Sequence, residues 1–399
     1  MNSRPDAAAA STGRVDRPDD HLRFPLESLL GVPFIEGNRI TVLRNGCRIF
    51  PAMLDAIGAA THFIEFLTFI YWKGTMARRF ADALGERARA GVKVRVLLDA
   101  FGARPMPQEL VRRMAAAGCD VRWYRPLWPP NPWRLNHRTH RKLLVVDGRV
   151  AFTGGVGIAE EWEGDARDPS EWRDSHFKIE GPAVRPLRAA FVGNWAEVDG
   201  RASLPNGAAG PLAEVGDAEV QVLRSTSSLG WNDVAILLDA VLRSAERSIR
   251  ITTPYFAPDE PSVRRFLDAR ERGVEVEVLI PGPYTDKRIS ELASQEEFER
   301  LVEGGVQIWR YQPTMIHAKI ITLDGCAAVV GSPNFNHRSM CKDEEVALTV
   351  LDAAFTDELD AQMDDDIAQS RPLDLREIRR RSWPRRALGW ALRPIRQNF

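Results

Sequence analysis

His140-Arg-Lys142-Leu-Leu-Val-Val-Asp147 returns 177 residues later as His317-Ala-Lys319-Ile-Ile-Thr-Leu-Asp324. In each copy a lysine follows the histidine by two positions and leads into a short apolar run. That run closes on an aspartate-glycine pair, Asp147-Gly148 and Asp324-Gly325, a signal for a tight turn. Seven residues beyond each aspartate stands a glycine, Gly154 and Gly331.

Upstream of each copy the order of elements also repeats. Ala60-Thr-His-Phe-Ile-Glu-Phe66 reads as a strand, Met76–Ala90 as an amphipathic helix, and Gly91-Val-Lys-Val-Arg-Val-Leu-Leu-Asp99 as a second strand entered through a helix-ending glycine. After Ala245 come Ser248-Ile-Arg-Ile-Thr-Thr-Pro254, a helix over Pro261–Arg272, and Gly273-Val-Glu-Val-Glu-Val-Leu-Ile-Pro281. The landmarks Ala60 and Ala245, Gly91 and Gly273, and His140 and His317 are separated by 185, 182 and 177 residues. Such regular spacing means one unit written twice. Strand, helix and strand in alternation predict an α/β fold with strands buried by helices on both faces, and a duplicated unit that buries its shared face puts the site between the halves. The expected organisation is a disordered leader over 1–32, lobe 1 over 33–198, a Gly/Ala/Pro-rich linker over 199–217, lobe 2 over 218–370 and a basic tail over 371–399.

On extended backbone the i, i+2 spacing points His140 and Lys142, and likewise His317 and Lys319, to one face. Imidazole beside ammonium suits attack on, or protonation of, a phosphoryl group whose oxygens the lysine neutralises. Asp147 and Asp324, grouped with these catalytic residues, are expected to fix the loop or the lysine. Gly331-Ser332-Pro333-Asn334 offers N–H groups, a hydroxyl and an amide to a small anion. Ser332, Asn334 and Gly155 are therefore expected at the phosphate. Two facing imidazoles act on opposite sides of one phosphorus without calling for a metal or cofactor.

The doubled His-x-Lys-x4-Asp-x6-Gly-[Gly/Ser] pattern resembles the phospholipase D superfamily. Glu36-Gly-Asn38, Gly154-Gly155, Trp172-Arg-Asp174-Ser-His176, Thr253-Pro-Tyr-Phe-Ala-Pro258 and the basic, tryptophan-bearing C-terminus look like bacterial cardiolipin synthases that lack N-terminal membrane spans. The resemblance implies a duplicated α/β fold of two mixed-sheet α-β-α lobes related by pseudo-two-fold symmetry with one active site between them, a phosphohistidine intermediate and phosphatidyl transfer between phosphatidylglycerol molecules with release of glycerol. It also implies that His140 is the nucleophile, that His317 carries the proton, and that Asp174 and Glu345 fix the imidazole tautomers. Hydrolysis to phosphatidic acid, nuclease-type phosphodiester cleavage and a catalytically dead lipid-binding protein are the alternatives. The chain departs from the family pattern at Gly157, where an asparagine is usual, and in Asp343-Glu-Glu345, where Asn-x-Glu is usual. His137 and His176 lack a lysine partner and are expected in structural or headgroup-contacting roles.

Of the 399 residues, 54 are Lys or Arg and 55 Asp or Glu, a net −1 that hides an asymmetry. From Arg371 to Phe399 nine arginines oppose Asp374 and Glu377, +7, leaving 45 − 53 = −8 for the first 370 residues. An acidic body argues against nucleic acid, and a basic tail argues for an anionic membrane surface. Leu388, Leu392, Ile395 and Phe399 recur at near-helical spacing among the tail arginines, as an interfacial anchor would. Arg125, Arg134 and Arg138 beside the first motif, and the aromatic, proline-broken segment Trp123-Tyr-Arg-Pro-Leu-Trp128-Pro-Pro-Asn-Pro-Trp133-Arg-Leu, are expected to help. Asp364-Asp-Asp366 reads as a solvated helix face, not a metal site. With no secretory signal, no ~18-residue apolar span and four scattered cysteines, the expected location is cytoplasmic, peripheral to the membrane. The fused halves remove any need for an oligomer to complete the site.

Overall fold

The two copies fold strand for strand alike in the computed structural model, which describes residues 19–129, 136–201, 212–226, 233–286 and 294–379. After α1 (Asp20–Leu30), lobe 1 runs β1 (Ile35–Arg44), α2 (Gly46–Gly58), β2 (Phe63–Thr68), α3 (Thr75–Arg89), β3 (Lys93–Asp99), α4 (Gln108–Ala116), β4 (Asp120–Tyr124), β5 (Leu143–Val146), β6 (Val150–Gly154), β7 (Ser175–Glu180) and α5 (Val184–Asp199). Lobe 2 repeats the series as β8 (Ala218–Arg224), α6 (Asp233–Ser244), β9 (Ser248–Thr252), α7 (Glu260–Glu271), β10 (Glu275–Pro281), α8 (Gln295–Glu303), β11 (Gln307–Tyr311), β12 (Ile320–Leu323) and β13 (Ala327–Gly331). The short α9 (His337–Cys341), β14 (Val346–Leu351) and α10 (Ala353–Ile367) complete it, and β15 (Ser370–Pro372) and α11 (Leu375–Arg379) follow.

The strand order is β4-β3-β2-β5-β6-β7-β1 in lobe 1 and, reflected about the join, β8-β14-β13-β12-β9-β10-β11 in lobe 2, with β15 on the outer edge. Strands β2, β3 and β4 of lobe 1 and β9, β10 and β11 of lobe 2 pair parallel, and the rest pair antiparallel. The lobes' sheets join edge to edge through β1. Its second half, Arg39–Arg44, pairs with β7, while Ile35 and Asn38 pair with β8 across a register shift. Gly37, at φ 81°, supplies the left-handed turn that this shift requires.

Burial follows the sequence pattern. β2 is buried on both faces, and α3 buries Met76, Ala77, Phe80, Ala81 and Leu84 along one stripe. Each lobe has its own core, and a third apolar cluster draws on both: Leu143, Val145, Phe177 and Ile179 meet Val220, Ile320, Val346 and Leu348. That shared core fixes the lobes against each other and makes a site between them possible.

Two expectations about the ends change. The leader was expected to reach residue 32, yet α1 is helical, with Leu22 and Leu26 fully buried in the lobe 2 core beside Leu237 and Val241. Pro25 breaks the apolar pattern, and the partners that reward the helix lie two hundred residues away, so local sequence carries little signal. The tail was expected to begin at Arg371, but β15 pairs there with β11, and Leu373 and Ile378 are buried in lobe 2. Residues 1–18, most of the linker (202–211), Trp133, Arg134 and the tail from 380 onward lie outside the described residues.

Candidate active site

Both histidines sit on extended backbone just before a hairpin, His140 before β5 and His317 before β12. These lead-in segments bridge to the opposite lobe instead of pairing within their own. His140 N–H donates to Glu344 O (2.9 Å) and Glu344 N–H to Arg138 O (2.8 Å). By pseudo-symmetry His317 N–H donates to Arg173 O (2.7 Å) and Arg173 N–H to Met315 O (2.9 Å). Each bridge sets the next residue's carboxylate behind the other lobe's imidazole. His140 Nδ1 lies 3.0 and 3.1 Å from the two oxygens of Glu345, and His317 Nδ1 lies 2.8 Å from Asp174 Oδ2. The carboxylate downstream of each motif therefore serves the histidine of the other lobe.

A carboxylate that accepts from Nδ1–H leaves Nε2 as the bare nitrogen, the form in which imidazole attacks or takes a proton. Lys142 Nζ donates to His140 O at 2.8 Å and Lys319 Nζ to His317 O at 2.7 Å, so each lysine folds back beside its histidine. The four residues are buried, His140 at 9% exposure as a whole and His317 at 3%. Burial, and then the nearby Lys319 charge, lower the Lys142 pKa. His317 is pushed down to about 4, mainly by burial and by Lys319, with Asp174 pulling the other way. Burial works to raise Asp174, but the positive charge of His317 and Lys319 holds it below the ordinary carboxylate value. Glu345 is raised by burial against the pull of Lys142.

Of the residues expected at the phosphate, Ser332 holds a carboxylate and Gly155 leaves room for one. Ser332 Oγ donates to Glu345 Oε2 at 2.5 Å, and a Cβ on Gly155 would lie 2.3 Å from Asp174 Oδ1. Gly155 is the counterpart of Ser332, its missing side chain being the space that Asp174 fills. Asn334 is buried in the Ser332 turn, its N–H donating to Ser339 Oγ at 3.0 Å. Asp147 and Asp324 stand about 20 Å along the chain from their histidines, at seven residues of near-extended backbone. Asp147 accepts the N–H groups of Thr61, His62 and Phe63, each at 2.8 Å. Asp324 accepts those of Glu246, Arg247 and Ser248 at 2.7 to 3.0 Å, and His21 Nε2 of α1 lies 2.9 Å away. They tie each hairpin to the start of the neighbouring strand and take no part in the reacting cluster.

Sequence reasoning missed two donors that the repeat itself could have revealed. Trp162 and Ser339 each lie seven residues past Gly155 and Ser332. Trp162 Nε1 donates to Asp174 Oδ2 at 2.8 Å, and Ser339 Oγ to Glu345 Oε1 at 2.7 Å. Gly157 belongs to the same device: a Cβ there would lie 2.7 Å from Ile70 and 3.3 Å from the Trp162 ring. Ile70, with the indole beside it, occupies the space that the usual asparagine would need. His176, opposite Gly154 on β7, is buried with Nδ1 unpartnered among the described residues, and burial pushes it down to about 3; Ala347 holds its place in lobe 2. Asp343 is raised to about 7 by burial, with Arg338 bound to it at 2.8 Å. His137 Nδ1 lies 3.2 Å from Lys342 O, a structural contact.

Three surface readings need correction. Arg138 is buried against Asp99 at 2.9 Å, and Arg125 is engaged with Glu197 and Glu344 at 2.8 and 2.9 Å, so neither offers free charge to a lipid surface. Asp366 is buried in an ion pair with Arg173 at 2.9 Å, while Asp364 and Asp365 remain largely exposed.

With this geometry in hand, the likenesses to known proteins fall into line. Residues 53–161 and 238–367 match the family model described as cardiolipin synthase, PLD-like domain. Cardiolipin synthase 1 of Bacillus cereus is 31% identical over 386 residues, covering 94% of this chain and 75% of that protein. Cardiolipin synthase A of Pseudomonas aeruginosa is 33% identical over 352 residues, covering 87% and 71%. The crystal structure of phosphatidylserine synthase from Haemophilus influenzae shares the fold at TM-score 0.71 and 14% identity, covering 94% of this chain and 97% of that one. The family match spans both halves of the repeat and takes in both histidine motifs. The chain belongs to the PLD-like cardiolipin synthase family.

Proposed function

We propose that the chain is a phosphatidyltransferase that makes cardiolipin from two phosphatidylglycerol molecules and releases glycerol. The observation that carries this reading is the pair of imidazoles, each backed by a carboxylate from the opposite lobe and flanked by a lysine. In the first step His140 Nε2 attacks phosphorus. The N–P bond forms as the bond to the headgroup glycerol oxygen breaks, and that oxygen takes a proton from His317. In the second step the terminal hydroxyl of another phosphatidylglycerol gives its proton to His317 and attacks phosphorus, and the N–P bond breaks. The sum is two phosphatidylglycerols to one cardiolipin and one glycerol.

His317 is neutral at pH 7 in the free site, which suits the second step as base. An anionic phosphodiester between the lysines offsets their charge and moves His317 back toward neutral pH, so that it acts as acid in the first. Lys142 and Lys319 hold the nonbridging oxygens. Among the described residues no helix is long and apolar enough to cross a membrane, and the lipid is met at a peripheral surface of the cytoplasmic membrane.

The test is incubation of purified protein with phosphatidylglycerol vesicles and mass spectrometry of the products. Cardiolipin plus glycerol is expected. Phosphatidic acid alone would make the chain a phospholipase D, since water would then resolve the intermediate. His140→Ala and His317→Ala are each expected to lose about 10⁴-fold in kcat or more, as when a member of a catalytic unit is removed. Full turnover by either variant would remove the site assignment.

A further inference from the structure

Five large apolar side chains stand exposed among the described residues: Phe24, Leu29, Phe101, Trp128 and Tyr284. The first two lie on α1. The other three, at 57%, 81% and 43% exposure, lie on loops that leave the C-terminal ends of β3, β4 and β10. Those strand ends also carry the site. Phe101 N–H donates to Asp99 Oδ1 at 2.9 Å, and the Asp99 carboxylate grips Arg138 and the N–H of Thr139, next to His140. The neighbouring Gly102 O accepts the Trp72 indole at 2.9 Å, tying this loop to the one whose Phe69 ring lies 5.2 Å from His140.

Trp128 comes three residues after Arg125, which donates to His137 O at 2.8 Å. Tyr284 comes two residues before Asp286, whose carboxylate accepts the Tyr255 hydroxyl at 2.7 Å, and the Tyr255 ring lies 6.1 Å from His317. β10 is the counterpart of β3, so Phe101 and Tyr284 follow equivalent strand ends of the two lobes. Lys73 and Arg104, both exposed, stand on the two loops that the Trp72 bond joins.

We propose that Phe101, Trp128 and Tyr284, with Lys73 and Arg104, form the surface that docks the cleft mouth into the headgroup layer of an anionic bilayer. This rests on the reading that the substrate is a membrane lipid. Aromatic rings favour the boundary between headgroups and acyl chains, and lysine and arginine beside them are drawn to anionic lipid. The reacting histidines are nearly closed to solvent, so a phosphodiester reaches them by rising into the cleft while its acyl chains stay behind. A rim of aromatics at the mouth lets that happen without pulling the lipid into water.

The experiment compares the full chain with the Phe101→Ser/Trp128→Ser/Tyr284→Ser variant, with thermal melting as the check on folding. Sedimentation with phosphatidylglycerol vesicles is expected to fall at least tenfold, and cardiolipin formation on vesicles with it. Turnover of dihexanoyl phosphatidylglycerol, kept monomeric, is expected to stay within twofold. Trp128→Ser alone, at a side chain too exposed to support the core, is expected to weaken vesicle binding about threefold. Undiminished sedimentation of the triple variant overturns the proposal. So does a change from dimer to monomer in light scattering with vesicle binding intact, which would make the rim a self-association face. A wild-type protein that sediments with vesicles but produces no new lipid would remove the functional reading and leave the docking surface standing.

Discussion

The two half-sites share one backbone plan and differ in what surrounds the carboxylate. Behind His140, Glu345 is held by two hydroxyls, Ser332 and Ser339, and one ring, Phe69, lies edge-on to the imidazole. Behind His317, Asp174 is held by the Trp162 indole and the N–H of Ser175, and the imidazole is boxed by Trp162, Trp172 and Tyr255 at 5.3, 5.3 and 6.1 Å. The His140 side chain is 11% exposed and that of His317 4%. Duplication preserved the strand order and the crossed bridges, while the side chains around each histidine diverged. The more open imidazole suits attack on an incoming phosphodiester. The enclosed one suits giving a proton to the leaving oxygen and taking one back from the incoming hydroxyl, because the aromatic box keeps water from it.

Exchanging the charge behind each histidine puts that comparison under the greatest stress. Asp174→Asn and Glu345→Gln are each expected to cost roughly 10²–10⁴ in kcat, with phosphatidylglycerol turnover as the measurement, because an amide supports the wrong tautomer. If only one of them matters, the half-sites are not equivalent in kind. Next in size are the positions that press on the carboxylates. Gly155→Ala drives a methyl into Asp174 and is expected to lower kcat by about 10²-fold, while Ser332→Ala removes one of two hydroxyl donors and costs about tenfold. Equal effects would mean that the lobes hold their carboxylates with the same stringency.

The lysines give a pH signature. In the proposed mechanism Lys142 is charged to hold phosphoryl oxygens, and its pKa is lowered by burial and by Lys319. The alkaline fall of kcat/KM is therefore expected below pH 10.5, the ordinary lysine value. Lys319→Met removes a neighbouring positive charge and shifts that fall upward in the residual activity, whereas a fixed limb would show that another group titrates. Smallest for chemistry are Asp147→Ala and Asp324→Ala, expected to leave kcat within a few-fold while lowering stability by about 1–3 kcal/mol in denaturant unfolding. Against the effect of burial, their backbone N–H partners hold both carboxyls below the ordinary 3.8. That stability is complete above 3.8 and is lost as the pH falls through the lowered folded value. The Asp324 variant also loses the His21 contact, so α1 is expected to loosen only there.

Much of this was legible in the sequence because the repeat marks what both lobes need. The histidines, lysines, hairpin turns and strand order all recur at nearly constant spacing. The crossing of Glu345 to His140 and of Asp174 to His317 was not legible, since it arises from backbone bridges between segments about 140 to 205 residues apart. Trp162 and Ser339 were hidden for a different reason. They occupy the same repeat position with unlike chemistry, so a search for identity passes over them. Helix α1 was missed because its stripe is only two buried leucines and a proline interrupts it.

The crossed pairing is the claim on which the rest depends, and the downfield proton NMR signals of the two histidine Nδ1–H groups test it most directly. Assignment by His140→Ala and His317→Ala comes first, followed by Glu345→Gln and Asp174→Asn. Glu345→Gln is expected to remove the His140 signal and spare that of His317, and Asp174→Asn to do the reverse. Loss of each signal with the carboxylate of its own lobe would contradict the crossed pairing.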